Sequence, residues 1–422
     1  MGMNDTPSAN RVHIGFFGLR NVGKSSLVNA VTGQELAVVS DVKGTTTDPV
    51  YKAMELLPLG PVMIIDTPGI DDEGALGALR VRRARQVLNK TDVAVLVTDA
   101  TIAPNGALCA IEEELVEIFE LKNIPYIIAQ NKSDLDNHGV LLSDGQPGVS
   151  DTQTCCPPCN SVVKLDSSQA LPVSAKTGLN IHELKEQIAA LAAPEASTLR
   201  LVGDLIKPLD LVLLVIPIDK AAPKGRLILP QQQMIRDILE TGAIAISVRD
   251  FELKDALARL GKPALVITDS QAFGHVSATV PTDVPLTSFS ILFARYKGFL
   301  ETAVRGVAAF ESVRDGDKIL ICEGCTHHRQ CDDIGTIKLP GWIREHTGKE
   351  PEFVFCSGGD FPEDLSPYKM IIHCGACMLN DREMHYRRRC AEDQQIPFTN
   401  YGTAIAHIRG ILARSIAPLR LT

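Results

Sequence analysis

"GLRNVGKSS", residues 18–26, decides how this chain is read. The short apolar run HIGFF precedes it, and LVNAVTG, with helical spacing, follows. GxxxxGK[ST] thus stands between a strand and a helix, the setting in which backbone N–H groups curl around a β-phosphate. Lys24 brings a point charge to the β/γ oxygens, and Ser25 brings a ligand for Mg2+. The helix starting near Lys24 adds the positive end of its dipole. Gly18, Asn21, Val22, Gly23 and Ser26 complete the loop expected to enclose the phosphates.

Four further segments extend this reading outward. DTPG (66–69) follows the strand VMIID. Asp66 can hold Mg2+ through water, and Gly69 can offer its N–H to the γ-phosphate. NKSD (131–134) follows PYIIAQ and supplies Asn131, Lys132 and Asp134. A carboxylate at Asp134 can accept from both N1–H and the exocyclic N2–H of guanine, a donor pair that adenine lacks. SAK, with Ser174, Ala175 and Lys176, then closes over the base. In GTTTDP (44–49), a threonine can complete the Mg2+ shell while γ-phosphate is present and let go after hydrolysis.

Composition sets the outer limits. The chain has 422 residues, 45% hydrophobic and 22% charged, enough for two to three domains. A net charge of −9 argues against a nucleic-acid partner. The longest aliphatic run, LVLLVIPI (211–218), is far short of the ~20 residues of a membrane span. MGMNDTPSAN lacks a basic region and an apolar core, so a cytoplasmic protein is expected. Eleven cysteines in a reducing compartment point to metal or redox chemistry rather than disulfides. Cys109 stands alone, and Cys155, Cys156 and Cys159 lie in a long Gly/Pro/Ser-rich stretch that reads as a solvent loop. All the others follow residue 320.

Strands and helices alternate from residue 198 onward, implying α/β units with parallel sheets. The expected architecture is α/β with three domains: a P-loop GTPase domain (1–197), a small dimerisation domain (198–285) and a cysteine-bearing domain (286–422). The middle one shows no titratable cluster. Asp219, Lys220, Lys224 and Arg226 read as a solvated loop, and an exposed edge strand could pair with a second copy. In the last domain, DKILIC, EFVFC, YKMIIHC and IPFTN read as strands, with cysteines at their carboxyl ends. Parallel strands bring those ends to one edge, and a following helix should lower the thiolate pKa. Three readings fit: buried structural cysteines, a zinc site on Cys322, Cys325, Cys374 and Cys377, or an iron–sulfur cluster on three cysteines with one open iron.

Over residues 10–195 the five G motifs resemble the Era/TrmE-like group of translation-factor-type GTPases. That resemblance places the magnesium threonine at Thr46, beside Ser25 and Asp66, and makes Lys24, Thr46 and Gly69 the catalytic set. Asn21 matches an asparagine that helps bind K+. Ile70 stands where a water-orienting glutamine is found elsewhere, which implies slow hydrolysis. Over essentially the whole chain, EGCTHHRQCDDIG, the HCGAC segment and PFTNYGTAIAHI resemble the FeFe-hydrogenase maturation GTPases, whose pattern is C-x-H, a long spacer, then H-C-x-x-C. The resemblance implies a 4Fe–4S cluster on Cys325, Cys374 and Cys377, with His327 and His373 at the fourth iron position or around it. His328 reads as a solvated neighbour, and Cys322 lies outside the pattern.

The same resemblance implies a homodimeric scaffold. It would take a diiron precursor carrying CO, cyanide and a dithiolate bridge from two radical-SAM maturases and deliver it to FeFe-hydrogenase. GTP would act through the loop around Thr46 and the DTPG segment, shifting affinity for partners. The rival readings are a zinc-containing regulatory GTPase in ribosome or tRNA work, and a GTPase switched by a redox-sensing cluster.

Overall fold

The computed structural model describes residues 7–33, 49–69, 86–102, 108–135, 170–192, 200–218, 227–324 and 333–419. Contacts divide the chain into two compact units, Met1–Glu195 and Ala196–Thr422. Three sheets result, one in the first unit and two in the second.

In the first unit, β1 (Val12–Phe17), β2 (Val50–Leu56), β3 (Gly60–Asp66), β4 (Val93–Asp99), β5 (Tyr126–Asn131) and β6 (Ala170–Pro172) pair in the order β2-β3-β1-β4-β5-β6. Only β2 and β3 run antiparallel. Continuous apolar runs make the central strands: every residue of β4 is buried, as expected where helices cover both faces. Each fully buried valine or leucine there contributes about 1.5–3 kcal/mol. All the motifs read from sequence that fall on described residues lie at the carboxyl ends of β1, β3, β5 and β6.

The second unit holds two four-stranded parallel sheets. One has β7 (Leu211–Val215), β8 (Ile244–Val248), β9 (Leu265–Thr268) and β10 (Leu286–Ser288), in the order β10-β9-β7-β8. The other has β11 (Lys318–Glu323), β12 (Glu352–Ser357), β13 (Met370–His373) and β14 (Phe398–Asn400), in the order β12-β11-β13-β14. A single apolar core runs from Leu201 to Leu419, so the two sheets are not packed independently. Strand β10 pairs with β9, so the first of these sheets extends to Ser288. Helices Phe289–Tyr296 and Leu300–Gly306 bridge the sheets. The second of them approaches β14 so closely that a Cβ on Gly306 would lie 2.0 Å from the carbonyl oxygen of Phe398.

Candidate functional sites

The phosphate loop is fixed by two glycines. Gly18 has φ +143° and Gly23 φ +91°, and Asn21 between them is also left-handed at +64°. A Cβ at Gly18 would lie 2.3 Å from the Val97 carbonyl oxygen, and one at Gly23 would lie 2.3 Å from Asn131 Nδ2. The loop can therefore curl only with glycine at both ends. Lys24 opens the helix Lys24–Thr32. Its Nζ donates to the carbonyls of Gly18 (3.0 Å) and Leu19 (2.6 Å), and so it stays over the loop.

Ser25 donates its hydroxyl to Asp66 Oδ2 at 2.6 Å. Asp66 is 3% exposed, and its Oδ1 is buried without a hydrogen-bond partner among the described residues. Burial raises its pKa, against the opposing pull of Ser25 and Lys24. An orphaned carboxylate oxygen beside a serine hydroxyl fits a hard divalent cation such as Mg2+.

The residues expected to bind the base are tied together across the sheet. Asn131 donates through Nδ2 to the Val22 carbonyl (2.9 Å) and accepts through Oδ1 from Ala175 N–H (3.1 Å). Lys132 reaches Asn21 O (2.9 Å) and Asp99 Oδ2 (2.5 Å). Asp134 accepts from Ser174 Oγ at 2.8 Å. NKSD and SAK thus form one hydrogen-bonded unit attached to the phosphate loop. Gly69 packs against Arg20, with room for no side chain: a Cβ there would lie 2.9 Å from the arginine's own. Thr46, its neighbours Thr45 and Thr47, Ile70 and the CCPPC loop lie outside the described residues.

The second site sits at the carboxyl ends of β11 and β13. Cys374 N–H donates to Cys322 O at 2.8 Å. The Cys374 sulfur accepts from Gly324 N–H (3.1 Å) and lies 3.4 Å from Ala376 N–H. Ala376 has φ +56°, a left-handed turn in the middle of HCGAC. Cys374 and Cys377 both line a cavity of about 270 Å³, with Glu323, Ser290, Phe293 and Tyr401 also in its wall. Paired thiols, amides aimed at a sulfur and this volume fit a thiolate-bound cluster larger than one ion. Cys325, His327, His328 and Cys331 lie outside the described residues.

The structure alters several expectations here. Burial raises the Cys374 thiol, and burial with the neighbouring Cys374 sulfur pushes Cys377 from 9.0 to about 12. The following helix runs from Asp381 to Asp393. For Cys374, desolvation outweighs the lowering pull of the Gly324 and Ala376 N–H groups, and a bound metal would have to supply the missing stabilisation of the thiolates. His373 points into the core. Its Nδ1 donates to the Cys374 carbonyl (3.0 Å), and its Nε2 accepts from Arg387 Nη1 (3.0 Å). Burial, with help from Arg387, holds its pKa at about 3, so the ring is neutral. Both nitrogens are engaged, which suits His373 to steering the Cys374 backbone. The middle segment contributes Ile228, Pro230, Asp269 and Ser270 to the same cavity wall.

Arg387 escaped the sequence reading. It is fully buried, paired with Glu383 at 2.8 Å, and lies over the Phe361 ring at 5.2 Å. Its neighbours in YRRRC are partly or fully exposed, and a run of arginines normally signals a solvated face. Only the spacing Glu383–Arg387 hinted at a paired charge. On the adjacent strands, Cys322 meets Cys356 rather than Cys374, with sulfurs 3.0 Å apart. Apart from these sites, Glu311, His346 and His407 bring three ligand-type atoms within 4.8 Å of one another, at least partly exposed.

Residues 301–418 match the hydrogen maturase F tetramerization domain, and residues 201–298 match the hydrogen maturase F dimerization domain. Residues 13–132 match the 50S ribosome-binding GTPase family. GTPase Der of Wolinella succinogenes is 31% identical over 189 residues, covering 44% of this chain and 36% of that protein. The tRNA modification GTPase MnmE of Endomicrobium trichonymphae is 30% identical over 190 residues, with the same two shares. The chain thus spans about a third of the length of these curated relatives. Among solved structures, Era in complex with MgGDPNP and a 16S ribosomal RNA segment covers 61% of this chain and 91% of its own, with 21% identity and a TM-score of 0.32. No helix among the described residues is long and apolar enough to cross a membrane.

Proposed function

Because the chain belongs to the hydrogen maturase F family, with a GTPase domain ahead of the dimerization and tetramerization domains, we propose that it is a GTP-hydrolysing scaffold that holds a 4Fe–4S cluster and delivers a diiron precursor to apo FeFe-hydrogenase. The observation carrying this is the convergence of Cys374 and Cys377 on one cavity, walled by residues that follow strands of both sheets of the second unit. Cys325 would supply the third thiolate, leaving one iron position for exchangeable ligands, with His327 beside it. The cluster would supply an iron that takes up and releases a ligand of the precursor. The chain's own residues set the frame. His373 holds the Cys374 carbonyl, Gly324 N–H and Ala376 N–H face the Cys374 sulfur, and Tyr401 O–H donates to Glu323 Oε1 at 3.3 Å.

The test is transfer. Anaerobically reconstituted protein, loaded with a synthetic diiron complex bearing CO, cyanide and a dithiolate, should activate apo-hydrogenase. Cys374→Ser should lose most of the broad visible absorbance and the activation, while GTP turnover stays within about twofold, because the thiolate is a cluster ligand and not part of the phosphate site. A colourless wild-type protein that binds zinc would overturn the reading in favour of a zinc GTPase. Coloured protein that transfers nothing would favour the redox-sensing one.

The resemblance to the Era/TrmE-like group motivates a monovalent-cation role beside the phosphates for Asn21, which lies between the two glycines of the loop. GTP turnover should rise when potassium chloride replaces sodium chloride at equal ionic strength. Equal rates in the two salts would remove Asn21 from that role.

The two radical-SAM maturases and a second copy of this chain are the remaining partners in this reading. Strand β8 is the exposed edge of its sheet, with Ile244 46% exposed. A two-fold axis would pair it antiparallel with its own copy. Ser247→Pro, which removes an edge donor and blocks pairing, should lower the mass measured by light scattering to that of a smaller assembly. An unchanged mass would place the interface elsewhere.

A further inference from the structure

Cys322 and Cys356 face one another in register on the parallel strands β11 and β12. Residues opposite each other on neighbouring strands project to the same side of a sheet, and the strands lie about 4.8 Å apart. That spacing falls in the range of about 4.4–6.8 Å between Cα atoms that a disulfide tolerates. Both cysteines are free, and their sulfurs are 3.0 Å apart. Small rotations about the two Cα–Cβ bonds would bring them to the bonded distance of about 2.0 Å. Access is unequal: Cys322 is fully buried and Cys356 half-buried. A half-buried cysteine thus lies against a fully buried one, the arrangement expected of an attacking and a resolving cysteine. Neither belongs to the expected cluster ligands. Buried cysteines often serve only as small apolar side chains, but close packing by itself does not require two sulfurs to meet.

We propose that Cys322 and Cys356 form a reversible dithiol–disulfide pair, oxidised by exchange with a low-molecular-weight disulfide such as oxidised glutathione. Cys356 thiolate attacks one sulfur of RS–SR, forming a mixed disulfide and expelling RS⁻. Cys322 thiolate then attacks the Cys356 sulfur of that adduct, closing the intramolecular bond and expelling a second RS⁻. The two protons lost by the protein go to the leaving thiolates, giving two RSH. The two-electron oxidation of the protein is matched by the two-electron reduction of RS–SR. The bond would lie one hydrogen bond from the thiolate pocket, because Cys322 O accepts from Cys374 N–H at 2.8 Å.

The full-length protein is equilibrated without air in glutathione buffers of increasing oxidised fraction, acid-quenched, alkylated and peptide-mapped. The expected product is a cross-linked peptide pair, Cys322 with Cys356, that appears in one two-electron step and vanishes on adding dithiothreitol. The single variants should differ. Cys322→Ser should accumulate a glutathione adduct on Cys356, whereas Cys356→Ser should leave Cys322 as an alkylatable thiol, because no small disulfide reaches it. Unchanged circular dichroism and GTP binding in both variants keep the comparison valid. Two reduced thiols at every ratio, or Cys356 joined to Cys374 or Cys377 instead, would overturn the proposal. This readout does not depend on cluster loading, so its failure leaves the scaffold reading standing, and the reverse holds too.

Discussion

Arg387→Met destabilises the second unit by about 3–5 kcal/mol, the usual cost of leaving one partner of a buried ion pair uncompensated. Arg387 is fully buried, and its guanidinium bonds Glu383 through Nε (2.9 Å) and Nη2 (2.8 Å), His373 Nε2 (3.0 Å) and the Gly358 carbonyl. Methionine fills part of the space but leaves the Glu383 carboxylate in an apolar surround and the His373 Nε2 without its donor. The melting transition should fall on the order of 10 °C. Glu383→Gln together with Arg387→Met should recover a good part of the loss, since the stranded charge is gone. Differential scanning calorimetry of the three proteins checks this. A single variant within about 1 kcal/mol of wild type would show that water reaches the pair and that the burial argument is wrong. If the protein is the cluster scaffold proposed above, cluster content should fall too, because Arg387 fixes His373 and His373 holds the Cys374 carbonyl.

Asp134→Asn weakens GTP and GDP binding by about 10²–10⁴-fold, the equivalent of two charge-assisted hydrogen bonds at about 1.5–3 kcal/mol each. An amide in that place can still accept from N1–H, but it presents N–H to the exocyclic amine of guanine. Xanthine carries a carbonyl at that position, so the variant should gain affinity for xanthosine nucleotides as it loses guanosine ones. Fluorescent-nucleotide titrations with both bases measure the exchange. Unchanged guanine affinity would remove Asp134 from base recognition. The Ser174 hydroxyl, which donates to Asp134 at 2.8 Å, can serve the amide oxygen equally well, so the loop itself should stay in place.

The phosphate site was legible because its chemistry is local. Gly18, Gly23, Lys24 and Ser25 are nearly consecutive, and the positive φ angles at Gly18 and Gly23 favour glycine from local sterics. The strands followed for a related reason: long apolar runs such as VAVLVTD suit only a sheet covered on both faces. The strand-end cysteines were also foreseeable, since parallel strands must bring their carboxyl ends to one edge. Distances, partners and burial were not.

Sequence by itself determined the α/β class and the order of motifs along the chain. Only the tertiary structure decided that Arg387, and not its neighbours Arg388 and Arg389, enters the core. That choice depends on which face of one helix meets β13, and the polar run DREMHYRRRC carries no apolar stripe strong enough to announce it. The apolar core shared by the two halves of the second unit likewise brought Asp269 and Ser270 to the wall of the thiolate cavity. Strand register set Cys322 opposite Cys356, and a slip of one residue would have sent their side chains to opposite faces. A local motif is written in consecutive dihedral angles, whereas the surroundings of a buried charge or sulfur come from distant segments, and their free energies are settled only when the sheets pack.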